Sequence, residues 1–142
     1  MRRARFYVDA DLLALGKALV SARYDVTYPG DPGDPRRERP PCVVTDPSVP
    51  DPEWIPTVAS EGLVVISRDL RIGRSPAELK AVRQEGLRIV FIDSRRDPTT
   101  WGELAVLVHQ WRSISGLQEK DGPLLTLATK TTFREIDAPN RG

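Results

Sequence analysis

The sequence is poor in the residues on which several common functional sites depend. It contains a single cysteine, Cys42, and a single histidine, His109, among 142 residues. One cysteine cannot form an internal disulfide, and it argues against a zinc site. One histidine excludes catalysis by a pair of histidines acting as acid and base. We expect His109 to be structural, because it lies beside the apolar stripe of the last long predicted helix.

Long hydrophobic runs and an excess of one charge are also missing. No apolar run approaches the roughly 20 residues that a membrane-spanning helix needs. The start, Met1-Arg2-Arg3, leads into only a few apolar residues before Asp9, which does not match a secretory signal peptide. The 21 basic and 20 acidic residues give a net charge of +1, which neither requires nor excludes a nucleic-acid partner. We therefore expect a cytoplasmic protein without a membrane segment.

Short apolar runs alternate with amphipathic segments along the chain. Strands are predicted at 5–8, 24–28, 63–66, 87–92 and 124–128, with 131–136 as a candidate addition. Helices are predicted between them, starting near residues 12, 51, 76 and 101. Such alternation implies a parallel sheet covered by helices on both faces. The prediction is one α/β domain over 1–136, followed by a disordered tail at 137–142.

Proline and glycine punctuate residues 29–50, and prolines disfavour both a helix interior and a central strand. We expect one long loop there, with a short extended piece at 42–45. Loops of this length in compact domains are usually functional or disordered.

Local signals also predict how the helices begin. Asp11 can cap the first helix, and Asp51 fits the N-cap of the second, with a proline after it. Capping boxes are predicted where a serine or threonine precedes a glutamate by three residues. They lie at 75–78 and 100–103.

Acidic residues stand at the ends of several predicted elements. Asp9 ends the first strand, Asp51 starts the second helix, and Asp69 and Asp93 follow the third and fourth strands. The carboxyl ends of parallel strands share one edge of the sheet, so carboxylates gathered there repel one another unless a cation neutralises them. Hard divalent ions take oxygen ligands. A plainer interpretation stays open, since Asp11 and Asp51 have capping roles and Asp93 suits a solvated turn.

Three segments together resemble a known family. They are Phe-Tyr-Val-Asp-Ala-Asp-Leu at 6–12, Pro-Asp-Pro-Glu-Trp-Ile at 50–55 and Val-Val-Ile-Ser-Arg-Asp-Leu-Arg-Ile at 64–72. Their order and spacing resemble compact PIN-like domains, and in particular the toxins of VapC-type toxin–antitoxin systems. The resemblance covers residues 5–93 and extends less closely through the helix near 101. It implies a compact three-layer α/β/α sandwich around a mostly parallel sheet.

The resemblance also implies an activity, namely a ribonuclease that depends on Mg²⁺ or Mn²⁺ and acts as the toxin of a type II toxin–antitoxin pair. The implied metal-binding, catalytic acids are Asp9, Asp51 and Asp69, with Asp11, Glu53 and Asp93 as second choices. The implied partners of the substrate phosphates are Arg68, Arg71 and Arg74. RNA is the implied substrate, an antitoxin protein the implied partner, and a homodimer is consistent with the family.

Three other functions compete with the nuclease. Asp9 and Asp11 match the Asp-x-Asp of haloacid-dehalogenase-type phosphatases, although no adjacent acidic pair follows Asp69. A response-regulator receiver has paired acids after the first strand, an aspartate after the third and a late lysine, here Lys130. The third alternative is a PIN-like scaffold that binds RNA or protein without catalysis.

Overall fold

The computed structural model describes residues 3–68 and 76–136. The strands are β1 (Phe6–Val8), β2 (Val26–Thr27), β3 (Val64–Ser67), β4 (Arg88–Ile92), β5 (Leu124–Ala128) and β6 (Phe133–Glu135). The helices are α1 (Leu13–Ala22), α2 (Asp51–Ser60), α3 (Pro76–Glu85) and α4 (Thr100–Gly116), with short 3₁₀ turns at Ala10–Leu12, Pro35–Arg37 and Leu117–Glu119. The predicted alternation of strands and helices is confirmed. The expected tail at 137–142 lies outside the described residues.

In the described part of the chain, six strands form one sheet in the order β2-β1-β3-β4-β5-β6. Neighbouring strands are parallel except for the last pair, in which β6 runs antiparallel to β5. The strand order changes direction at β1, which has β2 on one side and β3 on the other. In open parallel sheets, ligands bind beside the carboxyl ends of the strands where the order reverses. A binding site is therefore expected at the carboxyl ends of β1 and β3.

The two faces of the sheet bury different residues of the same apolar runs. Phe6 and Val8 pack in one core and Tyr7 in the other, because successive side chains of a strand point to opposite faces. The first core is completed by α1 and α4, and the second by α2 and α3. This arrangement confirms the predicted three-layer α/β/α sandwich around a mostly parallel sheet. No helix among the described residues is long and apolar enough to cross a bilayer.

Two helix starts differ from their predicted caps. Asp51 is the first residue of α2 and Pro50 takes the N-cap position, so the carboxylate of Asp51 is not the cap. Thr99 caps α4, because its Oγ1 accepts a hydrogen bond from the Gly102 backbone N–H at 3.1 Å. The capping box at 100–103 is therefore wrong by one residue at its start. Ser75, expected to cap α3, lies outside the described residues.

The loop at 29–50 is built around a buried ion pair. Arg39 and Asp31 are 5% and 3% exposed, and their side chains are paired. The carboxylate of Asp31 also accepts hydrogen bonds from Thr27 Oγ1 at 3.0 Å and from the Gly33 backbone N–H at 2.9 Å. Residues 42–45 form no strand, so the predicted extended piece is wrong there. The Val44 carbonyl instead accepts a hydrogen bond from the Gly30 N–H at 2.8 Å.

Candidate active site at the carboxyl ends of β1 and β3

Asp9 follows β1 and turns the chain into the first helical segment. Its backbone N–H donates to the Ile66 carbonyl at 2.9 Å, which extends the pairing of β1 with β3. Its carboxylate accepts a hydrogen bond from the Ala10 N–H at 2.7 Å and caps the 3₁₀ turn that precedes α1. The prediction that Asp11 is the cap is therefore wrong. Asp9 is only 7% exposed, so its carboxylate is largely removed from water.

The end of β3 brings Asp9 and Asp11 together. The hydroxyl of Ser67 lies 3.1 Å from Asp11 Oδ2 and 3.3 Å from Asp9 Oδ2. The backbone N–H of Arg68 donates to the same oxygen of Asp11 at 3.2 Å. Two carboxylates from the end of β1 thus converge on the last residue of β3. This convergence follows from the parallel pairing of Val8 with Ile66.

The pKa of Asp9 is raised from 3.8 to about 7 in this environment. Burial is the largest cause, because a desolvated carboxylate is less stable than a solvated one. The charges of Asp11 and Asp51 add to the rise, while hydrogen bonds from the Ala10 N–H and the Ser67 hydroxyl lower the pKa. Burial and acidic neighbours therefore outweigh the hydrogen bonds that favour the carboxylate.

Asp51 contributes to this site from the start of α2. Its carboxylate accepts a hydrogen bond from Trp54 Nε1 at 2.7 Å, and the Trp54 ring packs on Tyr7 of β1 with centroids 5.1 Å apart. Its charge raises the pKa of Asp9, so the two acids lie within electrostatic range. Glu53, in the same first turn, is exposed.

The other predicted site residues are placed differently or are not described. Asp93, after β4, pairs with Arg95 through two hydrogen bonds of 3.0 and 2.9 Å, and these lower its pKa. This local pair matches the plainer interpretation of Asp93 as part of a turn. Asp69, Arg71 and Arg74 lie outside the described residues.

The Arg68 side chain contacts Glu103, a residue that the sequence predicted only as part of a helix capping box. Its guanidinium donates from Nη1 to Glu103 Oε2 at 3.1 Å and from Nη2 to the backbone carbonyl of Asp11 at 3.2 Å. Glu103 lies in the first turn of α4 and is 4% exposed. Burial raises the pKa of Glu103, and the positive charge of Arg68 lowers it.

A signal for Glu103 was present in the sequence. Glu103 precedes Val106 and Leu107 by three and four residues, so it shares the buried face of α4 with them. A carboxylate in a buried apolar stripe needs a partner, since an unpaired buried charge is strongly destabilising. The pattern predicts such a partner but cannot identify it as Arg68.

The donor set bears on which ions the site could hold. Among residues 3–68 and 76–136, no group of three or more histidine, cysteine, aspartate or glutamate side chains is placed to hold a metal ion. Asp9 and Asp11 form a pair of carboxylates around the Ser67 hydroxyl, and all these donors are oxygens. Mg²⁺ is commonly held by one or two carboxylates together with waters and substrate phosphate. The pair therefore fits a hard divalent ion in number and in chemistry.

Comparison with known proteins gives one match. The family model described as a PIN like domain matches residues 5–94, which is more than half of the chain and runs from β1 through β4. No curated protein and no solved structure matches the chain. The matched region contains Asp9, Asp11, Asp51 and Arg68, whereas Glu103 lies beyond it. PIN-like domains are generally of the nuclease type. The chain belongs to the PIN-like domain family.

Proposed function

We propose that this protein is an endoribonuclease that depends on Mg²⁺ or Mn²⁺. The observation that carries the proposal is the buried Asp9 carboxylate, with its pKa raised to about 7, beside Asp11 at the point where the strand order reverses. A buried carboxylate beside a second, half-buried one favours a cation at that place, because the two negative charges repel each other. In a nuclease-type family, a divalent ion is the cation that suits this preference.

The geometry ranks the expected metal ligands. Asp9 and Asp11 are the two acids that meet, and Asp51 is close enough to influence Asp9 electrostatically. Asp69 stays the expected further ligand, because it follows directly after Arg68. Glu53, which is exposed, takes the lowest place in this ranking, together with the locally paired Asp93.

Each residue of the site would have a separate role in phosphodiester cleavage. A divalent ion, when bound, would supply Lewis-acid activation of water and of the phosphodiester. Asp9 and Asp11 would hold and orient that ion, and the Ser67 hydroxyl, within hydrogen-bonding distance of both carboxylates, would orient the one to which it donates. The Arg68 side chain is 47% exposed, so its guanidinium can meet a phosphate oxygen at the rim of the site.

The finer assignment is that this nuclease is the toxin of a type II toxin–antitoxin pair. It is supported by the resemblance of segments 6–12, 50–55 and 64–72 to VapC-type toxins. In this proposal a cognate antitoxin covers the acidic edge of the sheet or displaces the ion, and the toxin can act as a homodimer. Expression of the chain alone should arrest growth, and Asp9→Asn should relieve the arrest.

The proposal is tested by incubating the purified protein with end-labelled single-stranded RNA, with Mg²⁺ or Mn²⁺ and with or without EDTA. Asp9→Asn and Asp11→Asn should each lower the cleavage rate by roughly 100-fold or more, since every tenfold loss reflects only about 1.4 kcal/mol of transition-state stabilisation. Asp121→Asn is the matched control. It makes the same change at an exposed acid shortly before β5, on the amino side of the sheet.

The outcomes separate the alternatives. Cleavage that survives both EDTA and Asp9→Asn would contradict a metal-dependent site on this chain. RNA binding without cleavage in any metal would instead indicate the non-catalytic PIN-like module. Labelling of an aspartate by acetyl phosphate would indicate the receiver or phosphatase chemistry.

A further inference from the structure

Glu103 has a buried charge that the proposed cleavage reaction does not use. It comes from α4, whereas Asp9, Asp11 and Asp51 come from other elements. It also lies outside the part of the chain that matches the family model, which ends at residue 94. Its described partner is the guanidinium of Arg68, at 3.1 Å. The position of Glu103 therefore bears on where the Arg68 side chain is held.

The backbone and the side chain of Arg68 donate hydrogen bonds to different acceptors. The backbone N–H contacts the carboxylate of Asp11, at Oδ2. The guanidinium contacts Glu103 and the main-chain carbonyl of Asp11. The positive charge of Arg68 thus lies beside Asp11, and its ion pair is with Glu103 on α4.

We propose that Glu103 is a positioning residue that keeps the Arg68 guanidinium away from the carboxylates of Asp9 and Asp11, so that a divalent ion can occupy them. The inference rests on the proposed function, because it concerns access of the ion to that pair. It adds a role for a helix outside the matched family region.

The physical argument is a competition between two cations for one pair of anions. A guanidinium carries several N–H donors and binds carboxylates tightly, often through two bonds at once. Without the carboxylate of Glu103, the Arg68 guanidinium could turn to the carboxylate of Asp11, whose backbone carbonyl it already contacts, and to Asp9 beside it. A guanidinium bound to Asp9 and Asp11 would neutralise their negative charge. A divalent ion could then bind only by displacing the guanidinium.

The test measures Mn²⁺ binding directly, by calorimetry and by the electron paramagnetic resonance signal of free Mn²⁺. Glu103→Leu should raise the Kd for Mn²⁺ roughly twofold to fivefold, the range expected for competition by a partly exposed ion pair. Glu103→Gln keeps a hydrogen-bond acceptor without the charge, so its effect should be smaller. Glu119→Gln is the matched control, since it removes an exposed glutamate from the turn that follows α4.

A double variant identifies the mechanism. Arg68→Ala combined with Glu103→Leu should return the Kd for Mn²⁺ to the value of Arg68→Ala alone, because the competing guanidinium is gone. A double variant that binds Mn²⁺ as weakly as Glu103→Leu would overturn the proposal, since Glu103 would then act without Arg68. An unchanged Kd in Glu103→Leu would overturn it as well.

A structure of the metal-free Glu103→Leu variant supplies a readout that needs no ion. It should show the Arg68 guanidinium in contact with a carboxylate oxygen of Asp9 or Asp11, and an Arg68 side chain that stays in place would contradict the proposal. If the unaltered protein binds no Mn²⁺, or binds it equally well after Asp9→Asn, the proposed metal site fails and this inference fails with it. If Asp9→Asn abolishes binding while Glu103→Leu leaves it unchanged, this inference alone fails.

Discussion

Asp9 is a site residue whose acid strength differs strongly from that of an aspartate in water. Its pKa of about 7 lies well above the ordinary value of 3.8, mainly because the carboxylate is buried. The folded protein therefore binds a proton at Asp9 more tightly than the unfolded chain does. Between pH 3.8 and about 7, the folded state is more protonated at this residue, so the free energy of unfolding falls as the pH rises.

The fall in the free energy of unfolding with rising pH predicts how Asp9→Asn behaves in the absence of divalent ions. Above about pH 7, the variant should be more stable than the unaltered protein by roughly 2–4 kcal/mol, because it no longer carries a buried negative charge. Below pH 4 the difference should largely vanish, because Asp9 is then neutral. Urea unfolding followed by circular dichroism at several pH values measures the difference.

The control for this experiment is Asp121→Asn, at an exposed acid. It should change the pH dependence of unfolding little. If Asp9→Asn and the unaltered protein lose stability in parallel between pH 4 and pH 8, the raised pKa of Asp9 is wrong.

Part of this site can be predicted from the sequence alone. The position of Asp9 after an apolar strand predicted its place at the edge of the sheet, which the structure confirms. Glu103 was missed as a site neighbour because its sequence context also fits a helix cap. Only the contact with Arg68, 35 positions away in the chain, distinguishes the two roles.

Among the larger elements, the loop at 29–50 has a more defined structure than its proline content predicts. Its buried pair of Arg39 and Asp31 is joined to β2 by a hydrogen bond from the Arg39 guanidinium to the Val26 carbonyl at 3.2 Å. A Cβ atom at Gly33 would lie 2.6 Å from the Arg39 carbonyl oxygen, so the chain can approach this closely only at a glycine. The loop is therefore held by specific internal contacts.

Removing one partner of that pair should destabilise the protein strongly. Arg39→Met leaves the buried carboxylate of Asp31 without its cation, which typically costs about 3–5 kcal/mol. Arg36→Met is the matched control, because Arg36 lies exposed in the same loop. Chemical denaturation measures both variants. Equal stability of the two variants would contradict a structural role for the buried pair.

At the scale of the whole molecule, one sheet separates two hydrophobic cores that share its strands. Trp54 packs in the core under α2 and α3, and Trp111 packs on Phe6 of the opposite core with ring centroids 4.8 Å apart. Because each strand contributes side chains to both cores, neither core can lose its packing without disturbing the other.

This shared sheet predicts a single cooperative unfolding transition. Two variants with one tryptophan each report on the two cores: Trp101→Phe with Trp111→Phe leaves Trp54, and Trp54→Phe with Trp101→Phe leaves Trp111. Within each variant, urea transitions followed by fluorescence and by circular dichroism should coincide. A fluorescence transition that separates from the circular dichroism transition in either variant would show that the cores unfold independently.

The sequence by itself determined the alternation of strands and helices, the two-sided burial of the sheet and the placement of Asp9 at a strand end. These features depend on apolar spacing and on neighbours close in the chain, which a sequence displays directly. The tertiary structure decided the strand order, the meeting of Asp9 and Asp11 at Ser67, and the pairing of Arg68 with Glu103. Which buried charge finds which partner depends on the elements that come together in space, and residues far apart in the chain carry no local signal of that contact.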